Sequence, residues 1–356
     1  MPINPADFTT TIDNPKFPLV PGTTLVYRNP AGAEIIRFQI TGETRTVMGV
    51  TCVVVHDVVT EDGVLVEDTF DYFAQDTAGN VWYFGEAVRN FVDGHFENTD
   101  GSWLAGVNGA EPGIVMKAAP MVGDTYQQEN APGIAEDAAT VLNLDTTVST
   151  PYADFSHALQ TYEFTALDPS LQEHKFYADG IGFLRVDNLL TGEFEELQHI
   201  EFDGTSGADT ISGNIGRDFL RGHAGGDHLD GKDGNDVLTG GLGKDYLTGG
   251  AGNDTFDFNS LKETRLAGAA RDVITDFTRG ADKIDLRTID ANSEMSGNQA
   301  FKFIGARGFH GEEGELHYRA YAGGVIVEGD VNGDGRADFR IEVEGASSLG
   351  KADFIL

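Results

Sequence analysis

Through the first 200 residues, apolar and polar side chains alternate in short runs broken by turn-forming residues. A period of two marks strands with one buried face, because neighbouring side chains on a strand point to opposite sides of the sheet. It predicts strands over residues 24–27, 34–41, 47–59, 64–74, 81–84, 143–148, 159–166, 173–177 and 183–187. Glu61-Asp62-Gly63 and Thr77-Ala78-Gly79-Asn80 supply hairpin turns, since Gly, Asn and Asp accept the positive φ such turns require. Long helical periods are few. The expected architecture of residues 1–200 is an antiparallel β sandwich or open barrel.

From residue 204 the period changes to nine, and six units follow in register: GTSGADTIS, GNIGRDFLR, GHAGGDHLD, GKDGNDVLT, GGLGKDYLT and GGAGNDTFD. Each opens on Gly, and a second Gly recurs at Gly207, Gly216, Gly225, Gly234, Gly243 and Gly252. Asp recurs at Asp209, Asp218, Asp227, Asp236, Asp245 and Asp254, followed two places on by Ile211, Leu220, Leu229, Leu238, Leu247 and Phe256. The period is that of the nonapeptide β-roll repeat, a known calcium-binding pattern.

The physics of such a unit can be built from its residues. Nine residues cannot bury a core alone. The glycines permit a tight turn, and the apolar position sits inward on a short strand. With two units per coil, residues eighteen apart stack at about one inter-strand spacing, ~4.8 Å. Asp209, Asp227 and Asp245 then form one column, and Asp218, Asp236 and Asp254 the other. Carboxylates so close repel unless a hard cation lies between them, with main-chain carbonyls of the Gly-rich turns completing an oxygen shell. Calcium suits that shell; zinc, which favours His and Cys, does not. The full pairs are 209/227, 227/245, 218/236 and 236/254. One inward side chain per unit is a thin core, so metal binding is expected to be coupled to folding.

These units resemble the RTX repeats of proteins exported by type I secretion systems. The resemblance continues through Arg271-Asp272-Val273-Ile274-Thr275-Asp276-Phe277 and Gly280-Ala281-Asp282-Lys283-Ile284-Asp285-Leu286, which look like the segment capping the roll in serralysin-type proteases. Gly333-Asp334-Gly335-Arg336-Ala337-Asp338-Phe339 and the closing Asp353-Phe354-Ile355-Leu356 are similar to the rest of that C-terminal domain. The resemblance covers about residues 200–356 and does not extend to the protease domain. It implies a parallel β-roll over 201–258 and a β-rich cap with an export signal over 259–356. It also adds Asp276 to the candidate calcium ligands. On this reading the roll stays unfolded where calcium is scarce and folds outside the cell. In the first four units Thr205, Asn214, His223 and Lys232 replace the Gly that follows the opening one, present only as Gly241 and Gly250. The first coil is therefore expected to bind calcium more weakly.

Asp330, Asn332, Asp334 and Asp338 share the spacing of an EF-hand loop, but position 12 is Ile341 where a bidentate Glu belongs. Two readings follow, a metal site and a polar hairpin turn between strands.

The net charge is −34, and residues 1–203 carry 32 Asp/Glu against 8 Lys/Arg. Such a field repels nucleic acid and anionic membranes and attracts cations. No apolar run is long enough to cross a bilayer, and Met1-Pro2-Ile3-Asn4-Pro5 lacks the basic and apolar regions of a Sec-type signal. Cys52, the single cysteine, lies in Val50-Thr51-Cys52-Val53-Val54-Val55 and reads as a buried small hydrophobe.

The motifs HExxH, GxSxG and GxGxxG are absent, so no catalytic residue is assigned. Phe73, Trp82 and Tyr83 on adjacent strands are candidates to line a ligand cavity, with cross-strand core packing as the plainer reading. Glu173-His174-Lys175 with Tyr177 gathers ionisable groups on one strand, Glu173 and Lys175 on one face and His174 on the other. These, and Tyr126-Gln127-Gln128-Glu129, read as solvated strand faces with acid–base roles as the alternative. Residues 112–197 also resemble a domain of uncharacterised secreted or lipid-anchored bacterial proteins, a resemblance that carries no activity.

The expected function is that of a secreted, extracellular calcium-binding protein exported by a type I apparatus, its N-terminal β domain binding a ligand, glycan or surface. The alternatives are a hydrolase or lyase of an extracellular polymer, acting through N-terminal carboxylates, and an intracellular calcium buffer.

Overall fold

The computed structural model describes residues 3–266 and 270–356. Met1 and Pro2, part of the stretch read above for an export signal, lie outside the described residues. The chain is all-β. Among the described residues there is no α-helix; 3-10 turns lie at Pro5–Asp7 and Lys351–Asp353. Two compact units divide at Ile200 and Glu201.

The first unit is an antiparallel meander. Thr23–Arg28, Glu34–Val47, Val50–Glu61, Val64–Asp76 and Val81–Val92 pair in chain order. Two-residue turns join the middle strands. Met48 and Gly49 have φ of 51° and 82°, and Asp62 and Gly63 have 49° and 78°, the double positive φ that matches the twist of a hairpin. The strand expected over 47–59 therefore begins at Val50, because Met48 and Gly49 are the turn.

Val81–Val92 also pairs with Glu111–Met116, and Glu111–Met116 with Glu129–Asn130. Thr125–Gln127, Asp137–Ser149, Asp154–Thr165, Gln172–Ala178, Gly182–Asn188 and Phe194–Asp203 continue the meander. Phe194–Asp203 then pairs with Thr23–Arg28, so the sheet rolls into a nearly closed barrel. Its interior is lined by alternate residues of each strand. Among the strands not expected from the sequence, Glu111–Met116 and Phe194–Asp203 are the longest in this unit. In the latter, Phe-Glu-Glu-Leu-Gln-His-Ile-Glu-Phe-Asp, acidic residues mask the two fully buried positions, Leu197 and Ile200.

The second unit stacks short parallel strands into two ladders. One runs through Thr210–Ser212, His228–Asp230, Tyr246–Thr248, Val273–Ile274 and Phe339–Glu344. The other runs through Asp218–Arg221, Val237–Thr239, Thr255–Asp257, Lys283–Asp285 and Phe354–Ile355. Leu220, Leu238, Phe256 and Ile284 stack in one, Leu229, Leu247 and Ile274 in the other, all at most 1% exposed. Burying such a side chain is worth about 1.5–3 kcal/mol. Both ladders run past residue 258 without a break, so the roll ends later than the nine-residue period does. An antiparallel hairpin, Glu315–Tyr321 with Gly324–Asp330, extends the first ladder from Phe339–Glu344.

Candidate sites in the roll and the barrel

In the roll, each repeat Asp from Asp227 to Asp254 uses one carboxylate oxygen to tie neighbouring coils. The N–H of Asp209, Asp218, Asp227 and Asp236 donates to Oδ1 of Asp227, Asp236, Asp245 and Asp254 at 2.8, 2.9, 2.8 and 3.0 Å. The columns then run on through residues the period does not reach: Asp245 N–H donates to Asp272 at 3.0 Å, and Asp254 N–H to Asp282 at 3.1 Å.

The second oxygen is different. Oδ2 of Asp227, Asp236, Asp245 and Asp254 is buried and takes no hydrogen bond. Each faces the Gly-rich turn. A methyl placed on Gly231 would meet Asp236 Oδ2 at 2.3 Å and the Gly249 carbonyl at 2.6 Å; on Gly222 it would meet Asp227 Oδ2 at 2.4 Å and the Gly240 carbonyl at 2.6 Å. A carboxylate oxygen and a carbonyl oxygen of the next coil thus flank one small space that only Gly leaves open. Among the described residues no three His, Cys, Asp or Glu side chains converge on a point. A cation in the turns would accordingly draw on main-chain oxygens as well as on the columns.

The electrostatics agree with that arrangement. Burial, opposed by the N–H bond and reinforced by the neighbouring carboxylate, pushes Asp236 to about 8 and Asp245 to about 6. Burial likewise lifts Asp254 to about 6 and Asp272 to about 8. A buried oxygen with no donor and a carboxyl that burial keeps from ionising are both features that a hard cation would stabilise. The residues fit calcium.

The second Gly of each unit also differs along the roll. Gly225, Gly234, Gly243 and Gly252 have φ of 143–152°, and His223 and Lys232 adopt positive φ of 67° and 75°, like Gly241 and Gly250 at 90° and 95°. Gly207 and Gly216 of the first coil, with Thr205 and Asn214, are not among the positive-φ residues. There Thr205 and Asn214 donate their N–H to Oδ2 of Asp209 and Asp218, so the first coil fills internally what later coils leave open.

Asp276 lies outside the columns. Its two oxygens accept the N–H groups of Gly249 and Gly250 at 2.9 and 2.8 Å, bracing the last turn. The 330–338 loop is a hairpin turn closed on itself. Asp330 accepts N–H from Gly333 and Gly335, each at 2.8 Å. Asp338 accepts from Val331 and from Asn332 Nδ2 at 2.8 and 3.1 Å, and Asn332 from Asp334 N–H at 2.9 Å. Ile341, at the twelfth position, is wholly buried. Of the two readings of Asp330, Asn332, Asp334 and Asp338, this geometry is that of the polar hairpin turn. Asp353 accepts N–H from Gly350 and Gly280 at 2.7 and 3.1 Å, fixing the terminal strand to the roll.

In the barrel, strand alternation builds a cavity of about 370 Å³. Phe73 and Tyr83 line it, their rings stacked 4.7 Å apart. Trp82 does not, which corrects the sequence reading: next to Tyr83 on one strand it must point outward. There it donates Nε1–H to Asp76 at 2.8 Å and meets Phe8 edge-on. Glu173, Lys175 and Tyr177 face the cavity while His174 packs outside with Tyr162 and Phe176. The face read as solvated is the inner one. Gln128 and Glu129 line the cavity as well.

The remaining acidic residues that line it were not singled out in the sequence: Asp57, Asp71, Asp137 and Glu163. Glu163 accepts from Thr161, Tyr177 and Gln128 at 2.9, 3.1 and 3.3 Å and pairs with Lys175 Nζ at 3.0 Å. Burial opposes the Lys175 charge, but Glu163 and Glu173 outweigh it and raise its pKa. Burial and nearby carboxylates push Asp71 to about 7 and Glu129 to about 8, and they raise Asp57 well above the carboxylate range. Asp57 Oδ1 is buried without a hydrogen bond. Cys52 is 0% exposed, its thiol pushed up to about 12 mainly by burial, which removes it as a nucleophile.

The second unit is thus an all-β roll with stacked carboxylate columns. Residues 204–356 match the family described as Peptidase M10 serralysin C terminal, and this region is the RTX-type roll of that domain. Among solved structures, the R3 and R2 subunits of the Azotobacter vinelandii mannuronan C5-epimerase each align with 43% of this chain. R3 is 28% identical over 80% of its own length with a TM-score of 0.33, and R2 23% identical over 92% with 0.29. A Parabacteroides distasonis protein described as a lipoprotein is 14% identical, covering 52% of this chain and 97% of its own, with a TM-score of 0.28. Superpositions this slight carry no argument. No curated protein matches the chain. Among the described residues no helix is long and apolar enough to cross a membrane.

Proposed function

We propose that this is an exported protein whose C-terminal roll folds on calcium and whose N-terminal barrel is an extracellular ligand-binding module. The row of unpartnered oxygens on Asp227, Asp236, Asp245 and Asp254 carries the calcium reading. These four, with carbonyls of the Gly-rich turns, would hold the ions. The calcium supplies charge neutralisation that the buried columns otherwise lack. The barrel reading rests on an interior cavity within the usual range of small-molecule sites, roughly 300–1,000 Å³.

Hydrogen exchange of the full chain across a calcium titration tests the first part. Protection should appear over the 204–257 repeats at millimolar calcium and not with magnesium. Protection already complete without calcium would refute it. Export is tested by deleting residues 353–356. Release of the intact chain and retention of the truncated one support it, whereas retention of both favours an intracellular calcium buffer.

A hydrolase or lyase of an extracellular polymer is the second reading. Asp71 and Glu129 favour it, since carboxyls lifted to about 7 and 8 can donate protons near neutral pH. Polysaccharide turnover by the full chain, lost in Glu129→Gln, would establish it.

A further inference from the structure

The barrel cavity is lined by two unlike sets of side chains, interleaved along the strands: Phe38 is paired across from Asp57, and Asp71 and Phe73 alternate on one strand. Leu25, Phe38, Phe73, Ile181, Phe183 and Val186 make one apolar and aromatic set. Asp57, Asp71, Glu129, Asp137, Glu163 and Glu173 make the other, and Lys175 is the one cationic side chain lining it among the described residues. Lys175 is already engaged, 3.0 Å from Glu163 and 3.8 Å from Glu173. Glu129 and Asp137 lie within reach of the Lys175 charge, whereas Asp57 and Asp71 have no Lys, Arg or His beside them among the residues lining the cavity.

Six carboxyls sharing one lysine are costly in the ionised form, and Asp57, Asp71, Glu129 and Asp137 respond as that cost requires: burial raises the pKa of each, and Lys175 offsets it only in part at Glu129 and Asp137. One Asp57 oxygen has no hydrogen-bond donor at all. The missing partner is therefore positive. Among the described residues no three carboxylates meet at a common point. The acids are instead distributed among aromatic rings, Asp57 across from Phe38 and Asp71 two places from Phe73 on one strand, and such rings attract a cation through their π faces.

We propose that the barrel interior binds an organic cation, an ammonium or guanidinium group on an apolar body. The apolar part lies against Phe38, Phe73 and Phe183, and the charged head lies among Asp57, Asp71, Glu129 and Asp137. The proposal rests on the reading of the cavity as a ligand site and names the class of ligand.

The test compares three probes of similar size against the full chain in calcium, by isothermal titration calorimetry at pH 8: benzyltrimethylammonium, benzyl alcohol and phenylacetate. The ammonium should bind at least about tenfold more tightly than the alcohol, and phenylacetate not at all. In Asp71→Asn/Glu129→Gln, an isosteric change, ammonium affinity should fall at least about fivefold while that for the alcohol stays the same. Alcohol or phenylacetate binding as tightly as the ammonium overturns the cation inference and leaves the cavity reading standing. Ammonium affinity unchanged in the double variant also overturns it, since the cation would then be adhering to the acidic surface. No binding of any probe overturns the inference and the cavity reading together.

Discussion

The main-chain N–H of Asp227 donates to the carboxylate of Asp245, eighteen residues further on, at 2.8 Å. The same bond recurs on each coil, so the columns are built into the main-chain ladder and are not an ornament on its surface. One oxygen of each central Asp carries that bond, and the other waits in the turn.

The two oxygens can be separated by substitution. Asp236→Asn keeps an acceptor for the Asp218 N–H and removes the charge. It should raise the calcium midpoint of folding several-fold while increasing the structure present without calcium, both read by circular dichroism. Asp236→Ala also strips the acceptor and leaves a buried N–H unpaired, at a cost of about 1–3 kcal/mol. It should be less stable than Asp236→Asn at every calcium concentration. Equal behaviour of the two variants would mean the inter-coil bond contributes nothing.

Gly243 sits where two coils touch. A methyl there would lie 1.4 Å from the Gly225 carbonyl, and its φ is 150°. Gly243→Ala should abolish calcium-dependent protection around that coil in hydrogen exchange. Gly308→Ala meets nothing within 4 Å and should leave both calcium response and melting temperature unchanged.

Stability of the barrel should fall as pH rises. Asp71, Glu129 and Glu86 are lifted by burial to about 7, 8 and 9, whereas unfolded carboxyls titrate near 4. The native form thus holds protons that the unfolded form has lost. That contribution is complete below about pH 4 and is lost as pH climbs through the folded values. Trp82 and Trp103 are the only tryptophans in the chain, and both lie in the barrel, so the fluorescence melt reports this unit. Its midpoint should drop steadily from pH 5 to 9. A flat profile would mean that water reaches these carboxyls.

How much of this could be read in the sequence depends on what carried each signal. The columns from Asp209 to Asp254 were legible because geometry forces a strict period. Asp272 and Asp282 were not assigned to them, since the steps from Asp245 and Asp254 are 27 and 28 residues. The remaining clue was local: Asp272-Val273-Ile274 keeps the Asp-x-apolar core of the repeat without its glycines, and Gly280-Ala281-Asp282-Lys283-Ile284 keeps that core with the second Gly. In the barrel, alternation put Glu173 and Lys175 on one face but could not say which face is inside. An acidic strand face looks solvated in sequence, and only closure of Phe194–Asp203 onto Thr23–Arg28 turns it inward.

Whether that inner face is dry can be settled by the Lys175–Glu163 pair. The pair is 3.0 Å apart, Glu163 is 5% exposed, and three hydrogen bonds already hold one of its oxygens. Lys175→Met leaves that carboxylate without a counter-ion and should destabilise the barrel by about 2–3 kcal/mol, below the usual range for a fully buried pair because Lys175 is partly solvated. Glu163→Gln keeps most of the hydrogen bonds and leaves Lys175 near Glu173, so it should cost less. Because the two side chains share one interaction, the double variant should be more stable than the sum of the single losses by about 1 kcal/mol or more. The tryptophan melt measures all four corners of the cycle. A coupling near zero would mean that solvent screens the pair, and a cavity wet enough to do that would discriminate weakly between a cation and its neutral analogue.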